Sequence, residues 1–371
     1  MNAFSRAVPL CLLIALLVTD PVRSAPSPSS PDRPTHPTLA RQYDGYITVS
    51  NFRFTDGEVL KSLRLHFIAL GSPHRARDGK IDNAVLLLHS TGDDATIFLD
   101  PDFSVLFGAG EALDLKKYYI IMPDSIGHGR SSKPSDGLRA RFPHYSYQDM
   151  VTAQRRVVSE LGVEHLRLVL GVSMGGMHTW LWGERYPTMM DALFPISALP
   201  VEIGGRNRLW RHAIVEAIRN DPEWKGGNYN LQPHILARMI PLIAIMVGNP
   251  QRQFELHPTK AAADAWYEKM FHGAYTHVDA NDVLYHYDAS SDYNPEPALG
   301  AIIARLHLIL FADDQINAPQ FSVLARTMPC VKRGQYTIVP AGPKTSGEAV
   351  DNTNALLWKA ELAALLRSTA P

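Results

Sequence analysis

The chain has 371 residues, 46% hydrophobic and 20% charged, an ordinary globular mixture that excludes a disordered or fibrous protein. Lys and Arg number 36 against 37 Asp and Glu, a formal net charge of -1, so there is no whole-chain footprint for nucleic acid or another highly charged partner. Two cysteines exclude a disulfide scaffold and a cysteine-based structural zinc site.

Residues 1–24 place Arg6 before an apolar run from Ala7 to Val18, with Val22, Ser24 and Ala25 behind it. This is the order of a secretory signal, and about twelve apolar residues are too few to span a bilayer. It predicts a secreted or periplasmic protein whose mature form carries no membrane span. Cleavage near Ser24 removes Cys11 and leaves Cys330 without an intramolecular partner. Residues 25–44 read as a Pro/Ser-rich tether, a composition that packs no core.

Further along, Tyr46–Val49 and Leu63–Ala69 predict two strands around a Thr55-Asp56-Gly57 turn. The continuous apolar runs Ala84–His89 and Tyr118–Pro123 suit strands covered on both faces of a parallel sheet. Met150, Ala153, Val157, Val158 and Leu161 predict a helix over 147–161, followed by a strand over 166–172 and a helix over 174–186. Residues 198–298, rich in helix formers and in aromatics such as Trp210 and Trp266, read as a helical cap inserted between sheet strands. Strands are expected again at 306–311 and 336–339. A closing helix is expected over 353–367, with Trp358, Leu362, Leu365 and Leu366 on one face and Leu356 and Leu357 widening it. This alternation predicts an α/β protein with a mostly parallel sheet, its core formed by 45–197 and 299–371.

The chemistry is concentrated in Gly171-Val172-Ser173-Met174-Gly175, at the end of one predicted strand and the start of a helix. Such a turn holds Ser173 in a strained conformation above the sheet, as a nucleophile. Glycines are needed at 171 and 175 because side chains there would strike the neighbouring strand and helix. The Met174 N–H then points to where a tetrahedral oxyanion would form. A second oxyanion donor is expected from the Thr91 N–H in His89-Ser90-Thr91-Gly92, with His89 ordering that loop.

Taken with Pro123-Asp124-Ser125-Ile126-Gly127-His128-Gly129-Arg130-Ser131-Ser132, Ser173-Met174-Gly175-Gly176-Met177, Asp221-Pro222-Glu223-Trp224-Lys225-Gly226-Gly227-Asn228-Tyr229 and Phe311-Ala312-Asp313-Asp314, the chain resembles the α/β-hydrolase fold. More narrowly it resembles the homoserine O-acetyltransferase-like branch, over roughly residues 45–367. The resemblance implies an ester hydrolase or acyltransferase acting on a small-molecule acyl ester or acyl donor, with no metal and no other cofactor. It assigns the acid to Asp314, with Asp313 as the alternative, and the base to a histidine after the last strand. No histidine follows His307, and by register Glu348 occupies that place. A carboxylate near pKa 4.3 is a far weaker base than imidazole, and Asp314 beside it would repel its charge. His272, His277 and His286 in the inserted segment are alternative bases. The branch also places a carboxylate-binding arginine where this chain has Val215, with Arg211 one turn earlier and Arg219 just after. Homoserine-type acyl transfer loses support accordingly, as it does from the scarcity of acetyl-CoA outside the cell. Three readings remain: a serine hydrolase or acyltransferase relative impaired by loss of its histidine, an inactive binding protein on the same scaffold and, with less support, homoserine O-acetyltransferase-type acyl transfer.

Overall fold

The computed structural model describes residues 42–319, 322–342, 344–348 and 353–369, apart from the side chains of 274–277. The expected signal and most of the expected tether lie outside the described residues. Eight strands form one sheet: β1 (Tyr43–Arg53), β2 (Val59–Leu70), β3 (Ala84–Leu88), β4 (Tyr119–Pro123), β5 (Leu168–Val172), β6 (Ala192–Ile196), β7 (Arg305–Phe311) and β8 (Gly334–Val339). Their order is β1-β2-β4-β3-β5-β6-β7-β8. The first two pairings, β1 with β2 and β2 with β4, are antiparallel, and every later one is parallel. Since β1 starts at Tyr43, residues 43 and 44 belong to the sheet and not to the tether.

Every residue of β3, β4, β5 and β6 is buried, which is why these strands read as unbroken apolar runs. Alternate residues face opposite layers. Leu86, Leu88 and Val169 pack with α1 (Tyr147–Glu160) and α2 (Met174–Arg185) through Met150, Val157 and Trp180. On the other face Val85, Leu87 and Phe194 meet Phe98, Phe103 and Trp358. Ser146 caps α1 by accepting from the Asp149 N–H, and Asp149 accepts from the Ser146 N–H in return.

Strand β6 has no counterpart among the predicted strands. Its sequence, Ala-Leu-Phe-Pro-Ile, carries Pro195, which lacks the N–H a central strand normally donates. The strand persists because its other residues pair with β5 on one side and β7 on the other. The closing helix also differs from expectation. Helix proper covers only Lys359–Ser368, preceded by a 3-10 turn at Ala355–Leu357. That turn rotates Leu356 out to 63% exposure, so it does not widen the buried face.

Between β6 and β7 run α3 (Gly205–Arg219), α4 (His234–Val247), α5 (Pro250–Leu256), α6 (Lys260–His277) and α7 (Ala280–Asp288), with no strand among the described residues. No helix among the described residues is long and apolar enough to cross a membrane.

Helix α2 sits against the sheet with no room to spare. A Cβ on Gly175 would lie 2.0 Å from the Leu88 carbonyl oxygen, a backbone atom that cannot swing away. Gly175→Ala should therefore destabilise the chain by about 2 kcal/mol or more. Gly300→Ala, where an added Cβ meets nothing within 4 Å, should change stability by less than about 0.5 kcal/mol. Thermal melts of the two variants beside the wild type check the contrast.

Candidate active site

Ser173 links β5 to α2 with φ 50° and ψ −112°, a region that non-glycine residues occupy only under constraint. The constraint comes from both sides. Its N–H donates to the Ile196 carbonyl at 2.9 Å, and its carbonyl accepts from the Met177 N–H at 2.9 Å. A Cβ on Gly171 would sit 2.0 Å from the Gly175 oxygen, so the turn closes only with hydrogen at 171.

The loop after β3 carries His89 and Thr91. The His89 Nδ1 donates to the Ser90 carbonyl at 2.8 Å, which leaves Nε2 to accept the Ser125 N–H at 3.0 Å. This ring ties two loops together, the ordering part expected of it. The Thr91 carbonyl lies 3.0 Å from His128 Nε2.

Asp314 follows β7 and is 1% exposed. Its Oδ1 accepts from the Ile316 and Asn317 N–H groups at 2.7 and 2.8 Å, while Oδ2 has no well-formed partner among the described residues. Burial pushes its pKa up, against those two donors. Asp313 turns elsewhere, accepting from Asn249 Nδ2 at 2.6 Å. Glu348 is 6% exposed and its Oε1 is unpartnered. Burial first and the Asp314 charge second push its pKa up to about 8, with Asp93 adding to the rise. The Ser173 hydroxyl and the Arg211 guanidinium pull the other way. Ser173 is thus within reach of Glu348, although the pair falls short of a well-aligned hydrogen bond. The structure brings Ser173, Glu348 and Asp314 together and leaves Asp313 outside.

The inserted histidines stand elsewhere. His286 stacks on His128 at 3.7 Å and bonds the Gly127 carbonyl through Nε2 at 2.7 Å. Burial lowers its pKa to about 4. His272 is exposed on α6 beside Glu268. The side chain of His277 lies outside the described residues. Neither described ring is placed at Ser173.

Two neighbours were not placed beside Ser173 by the sequence, which marked Arg211 only as the arginine one turn before Val215 and did not single out Tyr147. Arg211, on α3, is 2% exposed; its Nε donates to Asn207 Oδ1 at 2.7 Å and one Nη has no partner. Its guanidinium lies over the Trp210 and Tyr287 rings at 5.3 and 5.6 Å. The Tyr147 hydroxyl, beside Thr91 and Arg211, is likewise buried without a well-formed hydrogen bond. A signal existed: Asn207, Arg211, Ile214, Val215 and Ile218 form one buried stripe of α3, and a charge within such a stripe marks a buried cation. Val215, at the expected arginine position, is simply buried apolar surface. No group of side chains suited to a metal ion occurs among the described residues.

A family model described as the alpha/beta hydrolase fold matches residues 83–249. A homoserine O-acetyltransferase from Moorella thermoacetica is 35% identical over 193 residues, 47% of this chain and 49% of that protein. The chain spans about half the length of the curated relatives it matches. A homoserine O-acetyltransferase structure from Bacillus anthracis superposes with a TM-score of 0.77 at 18% identity, covering 88% of this chain and 98% of that one. Esterase E22 superposes with a TM-score of 0.76, also at 18% identity, over 88% of this chain and 100% of that one. At these identities the structural likeness speaks for the fold alone.

The buried Glu348 carboxyl has a consequence for stability. Its folded pKa lies above the ordinary glutamate value of 4.5, so the stability it contributes is complete below about pH 4.5 and is lost as pH rises toward 8. Glu348→Gln cannot ionise and escapes that loss. Between pH 5 and pH 8 the wild-type melting temperature should fall by several degrees relative to the Gln variant. A difference that stays constant with pH would contradict the burial of an ionisable group there.

Proposed function

We propose, for a chain of the α/β-hydrolase fold with homoserine O-acetyltransferase homologues, that Ser173 is the nucleophile of an acyl-transfer site acting on small acyl esters or acyl donors. The observation that carries this reading is the strained Ser173 turn with the Glu348 and Asp314 carboxyls gathered beside it. In this reading Ser173 Oγ attacks the acyl carbon, and the Thr91 and Met174 N–H groups hold the oxyanion. Asp314 is the acid of the site and no cofactor takes part. The N-terminal segment supports a secreted or periplasmic location. At neutral pH most Glu348 carboxyls keep their proton and so accept none from Ser173, which holds turnover low.

Homoserine-type acyl transfer remains a second reading because of Arg211, a buried guanidinium with an unpartnered N–H that could hold a substrate carboxylate. Arg211→Met should then raise KM for a carboxylate-bearing acceptor and leave KM for a neutral ester within about twofold.

Purified protein should react with a fluorophosphonate probe at Ser173, and Ser173→Ala should not. Glu348→His should raise p-nitrophenyl acetate hydrolysis at pH 7 by about tenfold. Absence of both labelling and gain, in a folded chain, would favour an inactive binding protein on this scaffold.

A further inference from the structure

We propose that Glu348 is itself the general base of this site, accepting the Ser173 hydroxyl proton once the Glu348–Asp314 carboxyl pair has shed the proton it shares. The proposal rests on the reading of Ser173 as an acyl-transfer nucleophile and deepens it.

The geometry comes first. Asp314 Oδ1 is filled by two backbone donors and the Asn317 side chain approaches the same carboxyl, while Asp314 Oδ2 and Glu348 Oε1 make no well-formed hydrogen bond among the described residues. Neighbouring buried carboxyls with unpartnered oxygens are tolerable when one proton serves both. Ser173 is within reach of Glu348 too, short of a well-aligned hydrogen bond, so the three groups follow the order nucleophile, base, acid. The groups facing Glu348 come from every surrounding element. They are Asp93 after β3, Ser173 at α2, Arg211 on α3, Tyr287 on α7 and Asp314 after β7. Asp93 and Asp314 oppose its ionisation, Ser173 and Arg211 favour it, and Tyr287 is a buried neutral phenol.

The objection to a carboxylate base is weakness, and it holds for a carboxylate in water. Here the burial and the Asp314 charge that delay ionisation also make the ionised form a stronger proton acceptor. With a pKa of about 8, the Glu348 carboxylate is at least as basic as imidazole near 6.5. The cost falls on how much of the base is ionised at a given pH.

The steps balance without a co-reactant other than water. A Glu348 carboxylate oxygen takes the Ser173 Oγ proton while Oγ bonds to the ester carbonyl carbon, whose π pair moves to oxygen. Collapse re-forms the carbonyl and breaks the ester C–O bond, and Glu348 returns the proton to the departing alkoxide. Water then attacks the acyl-serine, giving its proton to Glu348, which passes it to Ser173 Oγ as the carboxylic acid leaves.

The test is the rate of p-nitrophenyl acetate hydrolysis from pH 5 to 10, with the Ser173→Ala rate subtracted at each pH. Wild type should rise with pH to a plateau, with a midpoint near 8. Glu348→Gln should lose ~10²-fold or more at pH 9 and show no midpoint. In Glu348→His the midpoint should move down toward 6.5. Asp314→Asn removes a like charge at constant shape, so its midpoint should also fall below that of wild type. A Glu348→Gln variant that keeps the wild-type midpoint, or most of the rate at pH 9, overturns the base assignment. Fluorophosphonate labelling at pH 9 separates the two claims. Ser173-dependent labelling with a profile indifferent to Glu348 defeats only the base, whereas no Ser173-dependent labelling or turnover at any pH defeats the nucleophile reading as well.

Discussion

The backbone-to-backbone contact at the start of α2 governs what this fold can present. Gly171 and Gly175 close on one another, Gly175 presses on the Leu88 carbonyl, and Gly176 would strike the Ile196 carbonyl if it carried a Cβ. Three strands, β3, β5 and β6, are therefore locked to one helix end with no side chain between them. Interiors at this density do not deform gradually, so the strained φ of Ser173 is held by contacts that would all have to fail together. The same contacts fix the loop after β3, which bears Thr91, relative to Ser173. Rigidity here belongs to the scaffold, and the site inherits it.

On that rigid frame sits an electrostatic conflict. Asp314 and Glu348 are both buried, and neither makes an ion pair among the described residues. Arg211 is a cation acting on Glu348, and it also lies over two aromatic rings and bonds a neutral amide. Its pull on the carboxyl is outweighed by burial, which penalises the charged form before any neighbour is counted. A cluster of buried, unpartnered polar atoms (Tyr147, Arg211, Glu348 and Asp314) is what a polar ligand would satisfy on entering.

Much of the fold was legible because its signals are local. Continuous apolar runs mark β3 and β4, where both sheet faces are covered, and the glycine spacing around Ser173 marks the turn. Strand β6 was not legible, since Pro195 argues against a central strand and only pairing on both sides overrides it. Leu356 misled for the opposite reason: helical periodicity was extended through a 3-10 turn, whose tighter winding points that side chain to solvent. At the site, Ser173, Asp314 and Glu348 could be named from motif and register. Arg211 could be named only as a basic residue one turn before position 215, and Tyr147 not at all, because their approach joins α3 to α1 across the fold. Only a charge within the buried stripe of α3 hinted at it.

The Asp beside the base acts in the same direction whichever base is present. Next to imidazole, a carboxylate stabilises the protonated cation and so raises the pKa. Next to Glu348, the Asp314 carboxylate destabilises the ionised anion, and the pKa rises again. In both cases the neighbour becomes a stronger proton acceptor. What changes is the charge of the competent state. A neutral imidazole beside one aspartate carries a single negative charge, and is populated at neutral pH. An ionised Glu348 beside ionised Asp314 carries two in a buried site, which burial resists until the pH is high. On the base assignment proposed for Glu348, a carboxylate in place of imidazole therefore moves the pH at which the base is available more than it weakens the base.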